Sequence, residues 1–357
     1  MGKVKVLTAR QAADLIKDGD TVTLSGFVAN GIAEALNAAA EERFLETGHP
    51  KDLTLFWVAG TGNKDGSHAD HYAHEGMVKK VIGGHFNFGP KILEMLSENK
   101  IEGYNVPQGA IAQMLRDNAA CKMRTISHVG IGTFADPRNG GGRLSEKTKE
   151  DIVKVIELEG QEQLFYPRIP LDVAFIRGTY ADELGNITLE KEMAPLDATS
   201  QAMAVHNNGG LVVVQVERVV KAGHLDPKLV KIPGIYVDAV VECPADDPKQ
   251  SQSINCTYDP AYAGNTQVPV SSLEPKKLDA KKIIGRRAAM ELKKNVVVNL
   301  GVGVPEWVSS VAAEEGVADE MTLTVECGPV GGVPGGGLRF GGSVNAQAYM
   351  DEGYQFD

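Results

Sequence analysis

Residues 5–36 read KVLTARQAADLIKDGDTVTLSGFVANGIAEAL, and the order of signals in this stretch decides the fold. A short helix spans Ala9 to Ile16, DGD (18–20) makes a turn, and TVTL (21–24) is a β-branched run suited to a strand. A glycine loop, SGFVANG (25–31), then leads into a second helix. The same order returns in residues 281–311, KKIIGRRAAMELKKNVVVNLGVGVPEWVSSV. There a helix ends near Leu292, KKN turns, VVVNL is the strand and GVGVP opens a helix. Asp18 falls in register with Lys293, and Gly26 with Gly301. Such a repeat implies two tandem α/β domains of one design, each an open sheet covered by helices.

Further strand-like runs lie between the repeats: DLTLFWVA (52–59), KVIGGHF (80–86), MRTISHVGIG (123–132), VAFIRGTYA (173–181), LVVVQVERVV (211–220) and GIYVDAVVE (234–242). Runs as continuously apolar as LVVVQV belong in a parallel sheet buried on both faces. Residues 244–276 are rich in Pro, Ser, Asp and Asn and read as a linker. The expected division is therefore a first domain over 1–243, the linker, and a second domain from 277. Residues 277–357 are too few to cover both faces of a parallel sheet, so the rest of that domain is expected to be missing or to lie on another chain.

Composition narrows the function classes. A formal net charge of −11 argues against nucleic acid as a partner, while leaving room for a local basic pocket. No run of 18 apolar residues is present to span a membrane, and the start MGKVKV lacks a signal-peptide core, so the cytoplasm is the expected compartment. Cys121, Cys243, Cys256 and Cys327 show no C-x-x-C spacing, which suggests neither a disulfide framework nor a zinc site. Neither a Walker A sequence nor a G-x-S-x-G elbow occurs, and the glycine loops do not complete G-x-G-x-x-G.

Two stretches remain that could carry chemistry. HADHYAH places His68, His71 and His74 three apart along one helical face, a spacing that suits packing or solvated histidines better than a metal site lacking further ligands. TLTVECGPVGGVPGGG (322–337) ends a strand-like run on Glu326 and follows it with clustered glycines. A carboxylate there could cap a helix or pair with an arginine. Its place at the carboxyl end of a strand, where open α/β sheets bind ligands, favours a functional role. Cys327 has no histidine nearby in sequence to activate it and reads as a small packing residue.

The whole chain resembles the family I CoA-transferases, most closely the propionate (acetate, lactate) CoA-transferases. The likeness runs through DGDTVTLSGFVANG, NVPQGAIAQMLRDN, GTFADPRNGGGRL, IRGTYADELGNIT, KKIIGRRAAMEL, VVVNLGVGVPEWV and TVECGPVGGVPGGG. It departs at Ser25, often glycine in the family, and at Ala33, often proline, both in the loop that shapes the acyl pocket. The resemblance implies that Glu326, in Glu326-Cys327-Gly328, is the nucleophile and that the Gln108 side chain donates to the oxyanion. It also implies that Gly26, Phe27, Val28, Ala29, Asn30 and Gly31, with Gly301, Val302, Gly303 and Pro305, line the acyl and thioester ends of the site. Gly328, Gly331 and Gly332 belong to the same substrate-binding set, and Gly331, Gly332, Gly335, Gly336 and Gly337 would let backbone close over the pantetheine arm. Arg286 and Arg287 are weak candidates for the CoA phosphates.

The implied reaction moves CoA between short-chain carboxylic acids through a glutamyl-CoA thioester, with CoA as substrate and transient adduct and no metal or tightly bound cofactor. The expected partners are acyl-CoA and carboxylic acids, in a homo-oligomer. Two alternatives stay open: an acyl-CoA hydrolase with water as acceptor, and a non-catalytic sensor of acyl-CoA or sugar phosphate on the same architecture.

Overall fold

The computed structural model describes residues 2–325 and 327–349. Strands β1 (Lys5–Leu7), β2 (Thr21–Leu24), β3 (Leu53–Trp57), β4 (Val78–Gly83) and β5 (Glu102–Asn105) join strands Val173–Arg177, Leu211–Val216 and Ala239–Glu242 in one sheet of eight. Every pairing in it is parallel. From edge to edge the order is β1, 239–242, 211–216, 173–177, β2, β3, β4, β5. Chain order therefore reverses between β2 and strand 173–177. A crevice opens at such a point beyond the carboxyl ends of the strands.

Alternation along the strands sorts the core onto two faces. Val22, Leu24, Leu55, Trp57 and Phe175 pack with helices α1 (Ala9–Ala13), α2 (Glu34–Thr47) and α3 (Pro90–Ser97). Phe56, Ile82, Tyr104, Ile176 and Val214 pack on the opposite side with α4 (Gln108–Ala119) and α5 (Ala198–Asn207). The result is an α/β/α sandwich.

Several runs end earlier than their composition suggests. The run at 123–132 is a strand only over Arg124–Ser127, and it pairs antiparallel with Gln161–Pro167 in a separate three-stranded sheet. LVVVQVERVV breaks at Glu217, whose N–H goes to Thr179 O and whose carboxylate meets Lys191 (2.7 Å); Arg218–Val220 joins a different sheet. Residues 244–276 hold only single turns at Pro248–Gln250 and Val270–Ser272, yet Gln250, Gln252 and Ser253 are each 1% exposed. This segment is packed against Gln215, Gly178 and Lys191.

The late repeat folds as read, with helix α6 (Ala280–Ala289), strand Val297–Asn299, helix α7 (Glu306–Glu314) and strand Thr322–Thr324 parallel to 297–299. Antiparallel strands Pro329–Val330 and Ala348–Tyr349 extend that sheet. Strand 297–299 has no partner on its other side among the described residues, and Ile283, Ile284, Met290 and Val297 are exposed. No helix among the described residues is long and apolar enough to cross a membrane.

Candidate active site

The loop after β2 sits at the switch point and is held from all sides. Ser25 N–H donates to Phe175 O (3.1 Å) on the neighbouring strand, and the Ser25 hydroxyl donates to Gly31 O (2.7 Å) across the loop. Phe27 and Asn30 exchange backbone bonds of 3.0 and 2.9 Å, which draws the loop into a tight hairpin. Gly26 has φ +122°, and a Cβ there would lie 2.0 Å from Ile32 Cδ1, so only glycine fits. Val28 takes φ 54°, a costly value for a β-branched residue. Its N–H donates to Gly60 O (2.7 Å) and its carbonyl accepts from Gly62 N–H (2.8 Å), so the loop after β3 holds it there.

The start of α2 lacks a side-chain cap of its own. Instead Gln215, fully buried at the end of strand 211–216, accepts from Ala35 N–H (2.9 Å) and donates to Gln250 Oε1 (2.6 Å) and Lys249 O (2.9 Å). Tertiary contact thus does the capping. Close by, Arg177 and Glu192 form an ion pair of 3.0 Å with both side chains 3% exposed, and Arg177 also donates to Ser251 O. Burial pushes the Glu192 carboxyl above its usual range despite the guanidinium.

Glu326 lies outside the described residues; its neighbours do not. Val325 and Cys327 are buried in one apolar cluster with Phe27, Val28, Ala29, Ala59, Leu196 and Phe340. The Asn30 amide donates to Phe27 O (3.1 Å) and Phe340 O (3.3 Å), and Cys327 Sγ lies 3.2 Å from Gly341 O. The late glycine stretch is thereby seated on the loop after β2. Cys327 is 4% exposed, and its thiol is directed at a backbone carbonyl.

Gln108 opens α4 just beyond β5 and is partly buried. Gly84, beyond β4, faces it so closely that a Cβ there would lie 2.5 Å from Gln108 Cγ and 2.3 Å from Val58 O. Gln108, after β5, and residues 26–31, after β2, both follow the carboxyl ends of parallel strands in one sheet. Residues 301–305 do not join the buried cluster: Gly301, Val302, Gly303 and Pro305 are exposed. Gly331 N–H goes to Leu323 O (2.6 Å), and Gly332 packs against Val344 and Asn345, so these two glycines serve contacts within the chain; Gly328 N–H meets Val325 O (3.0 Å). Arg286 pairs with Glu315 and Arg287 with Glu291, both on the surface.

Three features of the site escape a reading of sequence. His85, after β4, lies against Gly60 and Phe88, and burial lowers its pKa, with Lys64 adding to the effect. A cavity of about 420 Å³ opens between Ala29, Ile32 and Glu34 on one side and residues 246–257 on the other. The histidines of HADHYAH are each bonded to carboxylates of α2, and no group among the described residues is arranged to hold a metal. The only local signal for the last was Glu34 and Glu41 seven apart on α2, facing histidines three apart.

The family model for coenzyme A transferase matches residues 6–243. Acetate CoA-transferase YdiF of Escherichia coli (strain K12) is 42% identical over the whole chain, and caffeate CoA-transferase of Acetobacterium woodii is 41% identical over 99% of it. A crystal structure of acyl-CoA transferase YdiF from E. coli O157:H7, as a thioester complex with CoA, superimposes with a TM-score of 0.90 at 39% identity. The match covers 98% of this chain and 65% of that one. The chain spans about two thirds of the length of these relatives, 67% of each of the two curated ones. On the family model, the identities and the shared fold together, the chain belongs to the coenzyme A transferase family.

Proposed function

We propose that the chain transfers CoA between short-chain carboxylic acids of the propionate, acetate and lactate class, with Glu326 as nucleophile. One observation carries the reading: Val325 and Cys327, on either side of Glu326, are buried against Phe27, Val28 and Ala29 at the switch point of the first domain. The division into a first domain over 1–243, a connecting segment 244–276 and a second domain from 277 belongs to the same proposal, with the site between the two domains.

The Glu326 carboxylate attacks the thioester carbonyl of acyl-CoA, forming an acyl-glutamyl anhydride and releasing CoA thiolate. The thiolate attacks the glutamyl carbonyl of the anhydride, giving a glutamyl-CoA thioester and freeing the first acid as carboxylate. A second carboxylate then runs both steps in reverse. One thioester replaces another, so the exchange needs no energy input. Each attack passes through a tetrahedral oxyanion, and the Gln108 amide is the proposed donor to it. The apolar cluster around residues 27–29 keeps water from intermediates that it would hydrolyse. Further polypeptide, from the same or another chain, is proposed to cover the apolar face around Ile283, Ile284 and Val297.

The test is exchange between acyl-CoA and an isotopically labelled acceptor acid by the protein at its relatives' length. Label should pass from the acceptor acid into a CoA thioester, and no free CoA should be released when the acceptor is left out. Release of free CoA at the same rate without acceptor would instead support a hydrolase, and binding without turnover a sensor.

A further inference from the structure

Helix α2 and the turn His68–Tyr72 are joined by an unbroken chain of carboxylates and imidazoles. Glu34 Oε2 meets His68 Nδ1 (2.7 Å), and Glu34 Oε1 meets His71 Nε2 (2.8 Å). His71 Nδ1 meets Glu41 Oε2 (2.5 Å), and Glu41 Oε1 meets His74 Nε2 (2.6 Å). Side-chain exposure stays between 9% at His68 and 27% at His74, so water screens these bonds weakly. An ionised carboxylate can only accept. His71 faces one through each ring nitrogen, so both nitrogens must carry protons and the ring is an imidazolium.

The surroundings agree. Burial pushes the His71 pKa down, but the bonds and charges of Glu34 and Glu41 outweigh it and hold the pKa above the ordinary histidine value. Burial likewise raises the Glu34 carboxyl, and the bonds from His68 and His71 override this and bring it to about 2. Other charged groups near the chain are spoken for or distant. Asp70 accepts from Lys91 and Ile92 N–H on α3, Arg43 on α2 turns to Ala13 O and Ile16 O, and Tyr72 OH donates to Asn37. Asp65 and Lys249 flank the cavity that Glu34 and His68 also line.

Glu34 is the first residue of α2, directly after the loop 25–33. His68, which accepts this arrangement at φ 60°, is strained in the way that functional constraints sustain. We propose that His71, as an imidazolium shared by Glu34 and Glu41, is a positioning residue that clamps the first two turns of α2 and thereby fixes the loop 25–33 against the acyl group. The proposal rests on the transferase reading for what the loop contacts, and on geometry alone for the clamp.

The sign follows from the direction of the shift. A raised pKa means that the clamp holds fully below the ordinary histidine pKa and is lost as pH rises through the His71 value. At the acid end it is lost as pH falls through the depressed pKa of Glu34. Hydrogen exchange of the peptide spanning 25–36, corrected for its intrinsic pH dependence, reads the clamp without substrate. In the wild type, protection should drop in one step at a pH above the ordinary histidine pKa. Glu41→Gln, which keeps an acceptor but removes a charge, should move the step to lower pH, and His71→Gln should abolish it. A wild type without a step, or a step unmoved in Glu41→Gln, overturns the clamp.

Kinetics at the relatives' length then separate the two readings. The KM for the acceptor acid, the acyl substrate, should rise roughly tenfold or more over the same pH range, the scale of a lost charge-assisted bond, while the Kd for CoA stays level. An exchange step with a flat acyl KM would keep the clamp and overturn the assignment of loop 25–33 to the acyl group.

Discussion

Asn30 and Gln108 illustrate how little a residue's type says of its task. Asn30 is 4% exposed, and its amide reaches Phe340 O, tying the loop after β2 to the late glycine stretch. Gln108 opens α4 beyond β5, with its aliphatic stem against Gly84. Replacing Gln108 by Ala should lower turnover by roughly 10²–10³ with CoA binding nearly intact, as loss of one oxyanion donor does. Steady-state rates against CoA affinity decide this, and a loss below about threefold would contradict the role. Arg177 predicts a different outcome, because its partner Glu192 is buried beside it. Arg177→Met leaves a buried carboxylate unpaired and should cost about 3–5 kcal/mol in urea unfolding, whereas replacing both partners by apolar residues should cost less.

Elements were legible where composition and burial agree. TVTL and LVVVQV are β-branched and lie inside a parallel sheet, so local preference and tertiary need point the same way. Strand β5, Glu102–Asn105 (EGYN), has no such signature. It forms because Gly103 admits Leu96, whose Cδ2 would lie 2.3 Å from a Cβ at that position, and because β4 offers an edge. Residues 244–276 look like a linker for their polarity, but Gln250 and Gln252 spend that polarity on buried bonds to Gln215, Gly178 and Lys191. The strand Thr322–Thr324 that leads toward Glu326 was legible as a β-branched run, while the seating of Val325 and Cys327 on loop 27–29 required the fold. The contact between the loops after β4 and β5 is open to a direct test. Gly84→Ala should push Gln108 aside and lower turnover, and combining it with Gln108→Ala should cost less than the two losses together, since both act on one group. Full additivity in the rates would mean that Gly84 and Gln108 act independently.

At the scale of the molecule, a complete eight-stranded sheet carries a shorter second sheet with an open edge at 297–299 and exposed Ile284 (53%) and Val297 (72%). If further polypeptide covers that face, Ile284→Asp should destabilise the protein at its relatives' length by about 2 kcal/mol or more and the present chain by less than about 0.5 kcal/mol. Equal effects in denaturant unfolding would contradict this. Val325, Cys327 and Phe340 pack on residues 27–29, and the account as a whole stands on what the residue between the first two does. Mass spectrometry of the protein at its relatives' length, incubated with acyl-CoA and no acceptor, tests this most directly. A CoA-sized mass increase should appear on the peptide containing TVECGPVGG, should map to Glu326, and should vanish in Glu326→Ala together with exchange. Cys327→Ala should keep both. A label that maps to Cys327, or exchange that continues at a comparable rate in Glu326→Ala, would contradict the mechanism.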